Sequence, residues 1–584
     1  LRFNWNSAIN IDPFNNSTIY FGSQFVHKST DKGETWTVIS PDLTTNDSEK
    51  QKQSESGGLT MDATGAENHC SILVIEPSPI EKDMLWVGTD DGRIHYTKDG
   101  GQTWNDVSKI KSLPEGSWIA QIKASNKNKG EALLIANDYR RFNYTPYAYK
   151  TKNYGKTWER IVDERDVQSY TLAIVEDIEE PNLMFLGTDD GLYVSMNAGE
   201  KWTKWTEGFP TTSVKDLVIH PREHDLVIGT FGRAAWVLDD IRPLREIAGN
   251  TSVLNSNIKL FNPPTAYQAA YQQPTGSRFG ADALYQGENK KRGAHFSYLF
   301  NKKEALKSDI KADTKKGKKT ISDKKADSEN KVKWDSLTLK LYDNNRLIRT
   351  LKTKVPKENG IHKWTWFMDE SGVSRPSRSI RKQKREPGGV AVKPGNYKAI
   401  LHYGDQSSET IVTVMSDPRL DVSQNNIDEV YAAAKRLEKM QETSANAVKQ
   451  LVESKTIADT YKKKLSKLDK EAYTDQIKAS KDIVKFIDNL IDKYVGKVDK
   501  RQGITRNPEV TPIQRIQNAA RYVYGSQNGL TTTETILIKH AKDALEKLLE
   551  ETNNFFDKEW ATYKTSMKGI NPDPFKEIKT FGLD

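Results

Sequence analysis

The stretch Thr97-Lys-Asp-Gly-Gly-Gln-Thr-Trp104 decides the fold of the first part of the chain. The same pattern, S/T-x-D/N-x-G-x-T-W, recurs at residues 29–36, 151–158 and 195–202, with Lys201 replacing the Thr in the last copy. In each copy we expect the Asp or Asn to accept hydrogen bonds from its own turn, the Gly to adopt a positive φ, and the Trp to bury its ring against the hairpin. The pattern therefore predicts repeated β-hairpins in which these residues are structural and not catalytic: Asp31, Gly33, Trp36, Asp99, Gly101, Trp104, Asn153, Gly155, Trp158, Asn197, Gly199 and Trp202.

The segments around each copy predict four short strands per repeat. Apolar runs at 71–75, 84–88 and 93–96 are separated by Pro and Gly, and a last strand follows the hairpin motif. Four short strands per repeat are typical of a β-propeller blade. About five such units fit between Leu1 and Arg245, the last without the hairpin motif.

Three further motifs add a family resemblance. They are Tyr20-Phe-Gly-Ser-Gln24, the Gly-Thr-Asp-Asp-Gly turns at 88–92 and 187–191, and Leu238-Asp-Asp-Ile-Arg-Pro243. Together with the hairpin motif, known as the Asp-box, they resemble the bacterial sortilin-like or BNR-repeat β-propeller proteins, often labelled "glycosyl hydrolase, BNR repeat". The resemblance implies a propeller larger than the part in this chain, followed by a β-sandwich and a helical tail. Relatives in this wider group are sortilin, which binds peptides in a propeller tunnel, and the two-propeller xyloglucan hydrolases.

Composition and periodicity predict three domains. Residues 1–248 are interpreted as the C-terminal blades of a propeller that is incomplete in this chain. Residues 249–420 are interpreted as an Ig-like β-sandwich, with a Lys-rich insertion at about 302–331 that has too few apolar residues to order itself. Residues 421–584 show helical spacing of apolar residues and predict a helical bundle and tail. The predicted fold class is mainly β with an α-helical C-terminal region.

The bulk composition narrows the classes of function. The net charge of +9 over 584 residues comes from Lys spread along the chain, which argues against a nucleic-acid partner. No apolar run reaches the roughly 18 residues of a transmembrane helix. A single cysteine, Cys70, excludes an internal disulfide framework and a Cys-based zinc site, so we predict neither a metal nor a cofactor.

The chain opens with a strand-like stretch at Leu1 and shows no signal segment. We expect that the natural N-terminus and its targeting signal have been lost, and that the protein is exported to the periplasm or cell surface of a bacterium. A peripheral association with the outer membrane is one option for such a protein.

Candidate ligand-binding residues follow from the order of strands in a blade. The Asp-boxes lie between third and fourth strands, so turns between second and third strands fall on the opposite face, where propellers hold ligands. The alternative is that these residues brace their own turns, since Asp90 and Asp189 occupy equivalent repeat positions. The candidates are Asp90, Asp91, Asp138, Arg140, Arg141, Asp189, Asp190 and Arg233.

Two classes of function remain open at this stage. The first is a binding or scaffold protein that holds a peptide, glycan or protein partner on the propeller face. The alternative is a glycoside hydrolase, which needs two carboxyl groups about 5–5.5 Å or about 6.5–9.5 Å apart. Because the sequence singles out no such pair, the binding function is preferred and no catalytic residue is assigned.

Overall fold

The computed structural model of the protein describes residues 1–52, 68–269, 290–302, 335–380, 385–498, 510–526 and 528–570. The chain divides into two compact units, Leu1–Ser256 and Asn257–Asp584. Beyond Lys302, the Lys-rich insertion predicted at about 302–331 lies outside the described residues. The second unit contains both the later strands and the helices, so the predicted division at residue 420 remains a prediction.

The first unit consists of five antiparallel sheets that follow one another along the chain. The first sheet holds β1 (Ile9–Asp12), β2 (Asn15–Gly22), β3 (Val26–Ser29) and β4 (Thr37–Val38). The second holds β5 (Ile72–Pro77), β6 (Leu85–Thr89), β7 (Ile94–Thr97) and β8 (Asn105–Asp106). The third holds β9 (Trp118–Ala124), β10 (Ala132–Asp138), β11 (Asn143–Thr151) and β12 (Glu159–Arg160). The fourth holds β13 (Thr171–Glu176), β14 (Met184–Thr188), β15 (Gly191–Ser195) and β16 (Thr203–Lys204), and the fifth β17 (Ser213–Ile219), β18 (Leu226–Phe231) and β19 (Ala235–Leu238). Helix α1 (Arg242–Gly249) follows.

Apolar layers between neighbouring sheets hold this unit together. Each layer draws side chains from two consecutive sheets, as where Trp86 of β6 and Tyr149 of β11 join one buried cluster. The first strand of each sheet also contacts the first strand of the next. Close approach is possible because a glycine stands near the end of β6: a Cβ on Gly88 would lie 2.5 Å from the side chain of Ile119 in β9. The packing of the second sheet against the third therefore requires a glycine at position 88.

The second unit begins with two sheets packed face to face. The strands are β20 (Ile258–Leu260), β21 (Ala266–Tyr267), β22 (Ala294–Phe300), β23 (Ser336–Asp343), β24 (Arg346–Lys354), β25 (Gly360–Trp366), β26 (Asp369–Ser371), β27 (Gly388–Ala391), β28 (Gly395–Tyr403) and β29 (Gln406–Met415). One sheet has the strand order β20-β22-β25 and the other β21-β29-β28-β23-β24, with β21 parallel to β29 and a separate β26–β27 ribbon. Side chains of both sheets, such as Phe296, Trp366 and Leu401, form one buried cluster.

Helices form the remainder of the second unit. They are α2 (Gln424–Leu468), α3 (Thr474–Val495), α4 (Pro512–Gly525), α5 (Thr532–Phe555) and α6 (Ala561–Ser566). Capping boxes start two of them, with Thr511 and Gln514 at α4 and Thr531 and Glu534 at α5. One apolar cluster joins all five helices. Among the described residues, none of the helices has the length and apolar character needed to cross a membrane. The protein is therefore mainly β, with several sheets and a helical C-terminal region.

Candidate functional site

The turns between the second and third strands of the five sheets, with the links between sheets, form an end of the first unit that we call the turn face. In both Gly-Thr-Asp-Asp-Gly turns, the second Asp accepts a hydrogen bond from the preceding Thr. Thr89 Oγ1 lies 2.5 Å from Asp91 Oδ1, and Thr188 Oγ1 lies 2.6 Å from Asp190 Oδ1. Asp91 also accepts from Thr45, and Asp190 pairs with Lys204 at 2.7 Å. These two candidates therefore have partners that fix their turns and loops.

The first Asp of each turn differs between the two repeats. Asp90 is fully buried and accepts from the backbone N–H of Ser71 at 2.9 Å through Oδ1. Burial raises the pKa of Asp90 to about 8. Asp189, by contrast, is exposed. Tyr170 donates a hydrogen bond to Asp189, and the burial of Tyr170 together with this hydrogen bond raises the pKa of Tyr170. Equivalent repeat positions thus have different environments: the link before β5 buries Asp90, whereas the link before β13 contacts Asp189 through Tyr170 and leaves it exposed.

Three other candidates are engaged locally or exposed. Arg141 Nε donates to Asp138 Oδ1 at 2.5 Å, and Asn143 donates to the other carboxylate oxygen at 3.2 Å. Arg233 is exposed, and its carbonyl accepts from the indole of Trp236 at 2.9 Å. Asp138 and Arg141 therefore brace the β10–β11 turn, while Arg233 lies apart on the fifth sheet.

Arg140 has a different environment from its neighbour Arg141. Its guanidinium carbon lies 3.2 Å from the ring centre of Trp118 and 4.4 Å from that of Tyr139. The ring of Tyr139 stacks on that of Tyr170, with ring centres 4.5 Å apart. Among the described residues Arg140 forms no ion pair, and burial lowers its pKa. Desolvated contacts between a guanidinium and aromatic rings are among the stronger cation–π interactions, of about 2 kcal/mol.

Lys215 of β17, on the fifth sheet, is exposed, and its ammonium lies 5.9 Å from the ring centre of Phe231. Partial desolvation lowers its pKa, and the charges of Asp189 and Arg140 act on it. We call Trp118, Tyr139, Arg140, Tyr170 and Lys215 the cation–aromatic cluster. Only Arg140 of these five was a sequence candidate. Tyr139 is next to Arg140 in the chain, whereas Trp118, Tyr170 and Lys215 come from other strands and links. Only the repeated Gly-Thr-Asp-Asp-Gly turns marked the face on which they meet.

The residues of the Asp-boxes make the contacts expected of turn braces. Asp99 accepts from the backbone N–H of Thr103 at 2.9 Å and from its hydroxyl at 2.6 Å. Asp31 repeats both contacts in the first copy with Thr35. Asn153 likewise accepts from the backbone N–H of Thr157, but its amide donates to the Thr157 hydroxyl at 2.8 Å. In the fourth copy Asn197 accepts from the backbone N–H of residue 201 at 3.0 Å.

The Gly and Trp of the boxes make contacts that the sequence did not indicate. The indole of Trp104 donates to the carbonyl of Ile39 in the preceding sheet at 3.1 Å, and that of Trp202 to Ile161 at 2.7 Å. Gly101, Gly155 and Gly199 likewise lie against residues of the preceding sheet. Trp36 in the first sheet is 42% exposed, so the expected burial against its own hairpin is not seen there. In the other copies the preceding sheet covers the Trp ring, as where Trp158 packs against side chains of the second sheet. This explains why Trp36 is more exposed than its counterparts.

Comparisons with known proteins give weak structural similarity. No family model and no curated protein matches the chain. A GH74 enzyme of Niastella koreensis aligns at 17% identity and a TM-score of 0.30, over 41% of this chain and 37% of that one. A GH74 xyloglucanase of Xanthomonas campestris aligns at 16% identity and a TM-score of 0.32, over 40% and 36%. The protein YCF48 from Cyanidioschyzon merolae aligns at 13% identity and a TM-score of 0.28, over 40% and 67%. The chain thus spans well under half of the length of the two GH74 enzymes.

Proposed function

We propose that the five sheets of Leu1–Ser256 form part of a β-propeller whose turn face binds an acidic segment of a partner polypeptide. The protein would act as a binding or scaffold protein outside the cytoplasm, with the Ig-like sandwich and helical bundle as accessory parts. The observation that carries this proposal is the cation–aromatic cluster.

The exposed apolar surfaces of the first and fifth sheets support the propeller. Asn10 of β1 contacts the second sheet, whereas Ile9 and Ile11 point the other way and are 70% and 54% exposed. At the other end, Val218 and Val237 are 52% and 54% exposed. Apolar faces of this kind are covered when further sheets continue the ring of a propeller.

The charge and the aromatic character of the cluster support an acidic polypeptide as partner. Arg140 is partly buried and Lys215 is exposed, and neither has an ion-pair partner among the described residues. A carboxylate from a partner would form charge-assisted hydrogen bonds with the guanidinium, which are about twice as strong as neutral ones. Exposed rings close by, such as Phe142 at 85% and Tyr144 at 54%, offer apolar contacts around that charge.

The carboxylates of the turn face argue against the hydrolase alternative. A paired mechanism needs two reachable carboxyl groups. Asp90 is fully buried, and Asp91 and Asp190 hold their own turns and loops. Asp189 is the exposed member of this set. This arrangement supports binding over catalysis by paired Asp residues.

Binding of synthetic peptides tests the proposal. We would measure the Kd of short fluorescent peptides, each made in an acidic and a neutral version, by fluorescence polarisation. Acidic peptides should bind, and Arg140→Ala should weaken binding by about tenfold or more, equivalent to about 1.4 kcal/mol. Lys215→Ala should weaken it by a smaller factor, and added salt should weaken it further.

A matched control separates the cluster from net charge. Arg222 lies in the β17–β18 turn at the opposite end, and its side chain is 76% exposed, so Arg222→Ala removes one positive charge away from the cluster. Equal losses in Arg140→Ala and Arg222→Ala, or no binding of any acidic peptide, would contradict the proposal. Turnover of a polysaccharide that is abolished by Asp189→Asn would instead favour the hydrolase.

A further inference from the structure

The link between β4 and β5 brings a histidine and the single cysteine against the β6–β7 turn. His69 Nδ1 lies 3.6 Å from Cys70 Sγ. One ligand atom each from His69, Cys70 and Asp91 lie within 4.8 Å of one another. Cys70 is fully buried and Asp91 nearly so, while the side chain of His69 is 15% exposed. An imidazole, a thiol and a carboxylate therefore converge just below the surface of the turn face.

We propose that His69, Cys70 and Asp91 form a binding site for Zn²⁺. Sulfur, nitrogen and carboxylate oxygen are the ligand types that zinc takes in proteins, and the softness of a thiolate selects against Mg²⁺ and Ca²⁺. The proposal goes beyond partner binding and does not depend on it. It replaces the expectation, drawn from the single cysteine, that the protein has no Cys-based zinc site, because three protein ligands and a water are enough for an open zinc site.

The separation of the imidazole nitrogen and the thiol sulfur fits tetrahedral coordination, and the carboxylate oxygen of Asp91 lies within 4.8 Å of both. With Zn–S of about 2.3 Å and Zn–N of about 2.0 Å, two ligands at a tetrahedral angle lie about 3.5 Å apart. The observed 3.6 Å between His69 Nδ1 and Cys70 Sγ matches this separation. Asp91 is held in place by hydrogen bonds from Thr45 and Thr89, in the way that ligands of metal sites are oriented by their neighbours.

The neighbouring Asp90 supplies an independent observation. Its Oδ1 lies 4.0 Å from His69 Nδ1, whereas its buried Oδ2 has no hydrogen-bond partner among the described residues. Two adjacent buried carboxylates, Asp90 and Asp91, thus share this site, and His69 is the one basic group of the described chain within ion-pair distance of either. Buried carboxylates are normally paired or bound to a metal, and a divalent cation beside His69 would favour the ionised form of both.

Titration with Co²⁺, a spectroscopic substitute for Zn²⁺, tests the site. The full chain, stripped of metal with a chelator and dialysed, should bind one equivalent of Co²⁺ with a thiolate-to-cobalt charge-transfer band. One equivalent of Zn²⁺ should abolish the band. Cys70→Ser should remove the band, and His69→Ala should weaken Co²⁺ binding by about tenfold or more. The control His540→Ala, which removes an exposed histidine of α5, should leave binding unchanged.

Thermal unfolding shows whether the variants are folded, so that a loss of metal binding is not mistaken for misfolding. The side chain of His69 is partly exposed, at 15%, so His69→Ala should fold and lose only a few degrees of Tm without metal. Zn²⁺ should then raise the Tm of the wild type and of His540→Ala but not that of His69→Ala. No charge-transfer band, or one that survives in Cys70→Ser, would overturn the proposal. So would a folded His69→Ala protein that binds Co²⁺ as tightly as the wild type.

Discussion

At the scale of single residues, the Asp or Asn of each Asp-box acts through hydrogen bonds and not through its charge. Hydrogen bonds from Thr103 and Thr97 lower the pKa of Asp99 to about 2. Asn153 occupies the same position in the third sheet without any charge and still accepts from the backbone N–H of Thr157 at 2.9 Å. The side-chain oxygen is therefore the common requirement of the turn.

This comparison predicts opposite outcomes for two substitutions of Asp99. Asp99→Asn should leave the Tm of the first unit nearly unchanged, because Asn keeps the accepting oxygen. Asp99→Ala should lower that Tm by several degrees, because two donors of Thr103 lose their acceptor. Differential scanning calorimetry measures both values. Gln102→Ala, in the same turn and exposed, serves as control and should behave like the wild type.

The twin Asp residues show how far a repeat predicts a site. The repeated motif predicts that both turns lie on one face. Asp91 and Asp190 accept hydrogen bonds within their own turns, as the alternative interpretation of these residues as turn braces predicts. It did not distinguish buried Asp90 from exposed Asp189. That difference depends on which link covers each turn, and the links are the parts of the chain that do not repeat.

At the scale of elements, the glycine of the Asp-box serves the contact between sheets as well as its own turn. Gly33 and Gly101 both have positive φ, 97° and 102°. A Cβ on Gly101 would lie 2.4 Å from the carbonyl oxygen of Ile39 in the first sheet, whereas a Cβ on Gly33 would lie 3.6 Å from its nearest neighbour, Trp36. The same residue in the same turn therefore has two environments in one molecule.

A matched pair of alanine variants separates these two roles. Gly33→Ala should cost about 1–2 kcal/mol, since an alanine there meets backbone strain alone. Gly101→Ala should cost about 1–3 kcal/mol more, because the first and second sheets must also move apart. Urea denaturation of the two variants measures the difference in the free energy of unfolding. Equal losses would show that the glycine serves only its turn.

In the second unit, one carboxylate joins the β26 strand to helix α2. Glu370 accepts from Arg346 at 2.8 Å and from the hydroxyl of Tyr431 at 2.7 Å, and lies 3.2 Å from Lys435. Burial opposes its ionisation, but the hydrogen bonds from Arg346 and Tyr431 and the charge of Lys435 outweigh this and lower the pKa of Glu370 to about 2. The ionised form is thus bound more favourably in the folded protein than in the unfolded chain.

This contact predicts a pH-dependent contribution to stability. Because the folded-state pKa is below the ordinary value of 4.5, the contribution is present above pH 4.5 and is lost as the pH falls towards about 2. Glu370→Gln should lower the free energy of unfolding of the second unit by about 1–3 kcal/mol at pH 7. The loss should shrink at pH 3. Glu409→Gln, at an exposed pair with Lys398, is the control and should change stability by less than about 1 kcal/mol.

At the scale of the whole molecule, the apolar pattern of the sequence predicted more of the fold than of the site. Alternating apolar runs and turn residues indicated the sheets of Leu1–Ser256 and the helices after Ser423, because each element needs its own apolar face. The cation–aromatic cluster could not be predicted in this way. Its members span residues 118 to 215 and belong to the third, fourth and fifth sheets or the links before them, so no spacing along the chain relates them.

The distribution of the buried apolar clusters predicts that the two units unfold separately. The buried apolar clusters of the described residues each draw on one unit: four lie within Leu1–Ser256 and two within Asn257–Asp584. A chain in which no buried apolar cluster is shared between the two units need not unfold in one cooperative transition. Calorimetry should therefore show two transitions. Gly101→Ala should lower the Tm of one and Glu370→Gln that of the other. A single transition that both variants shift equally would show that the two cores are coupled, because strain placed in the first unit would then be felt by the second.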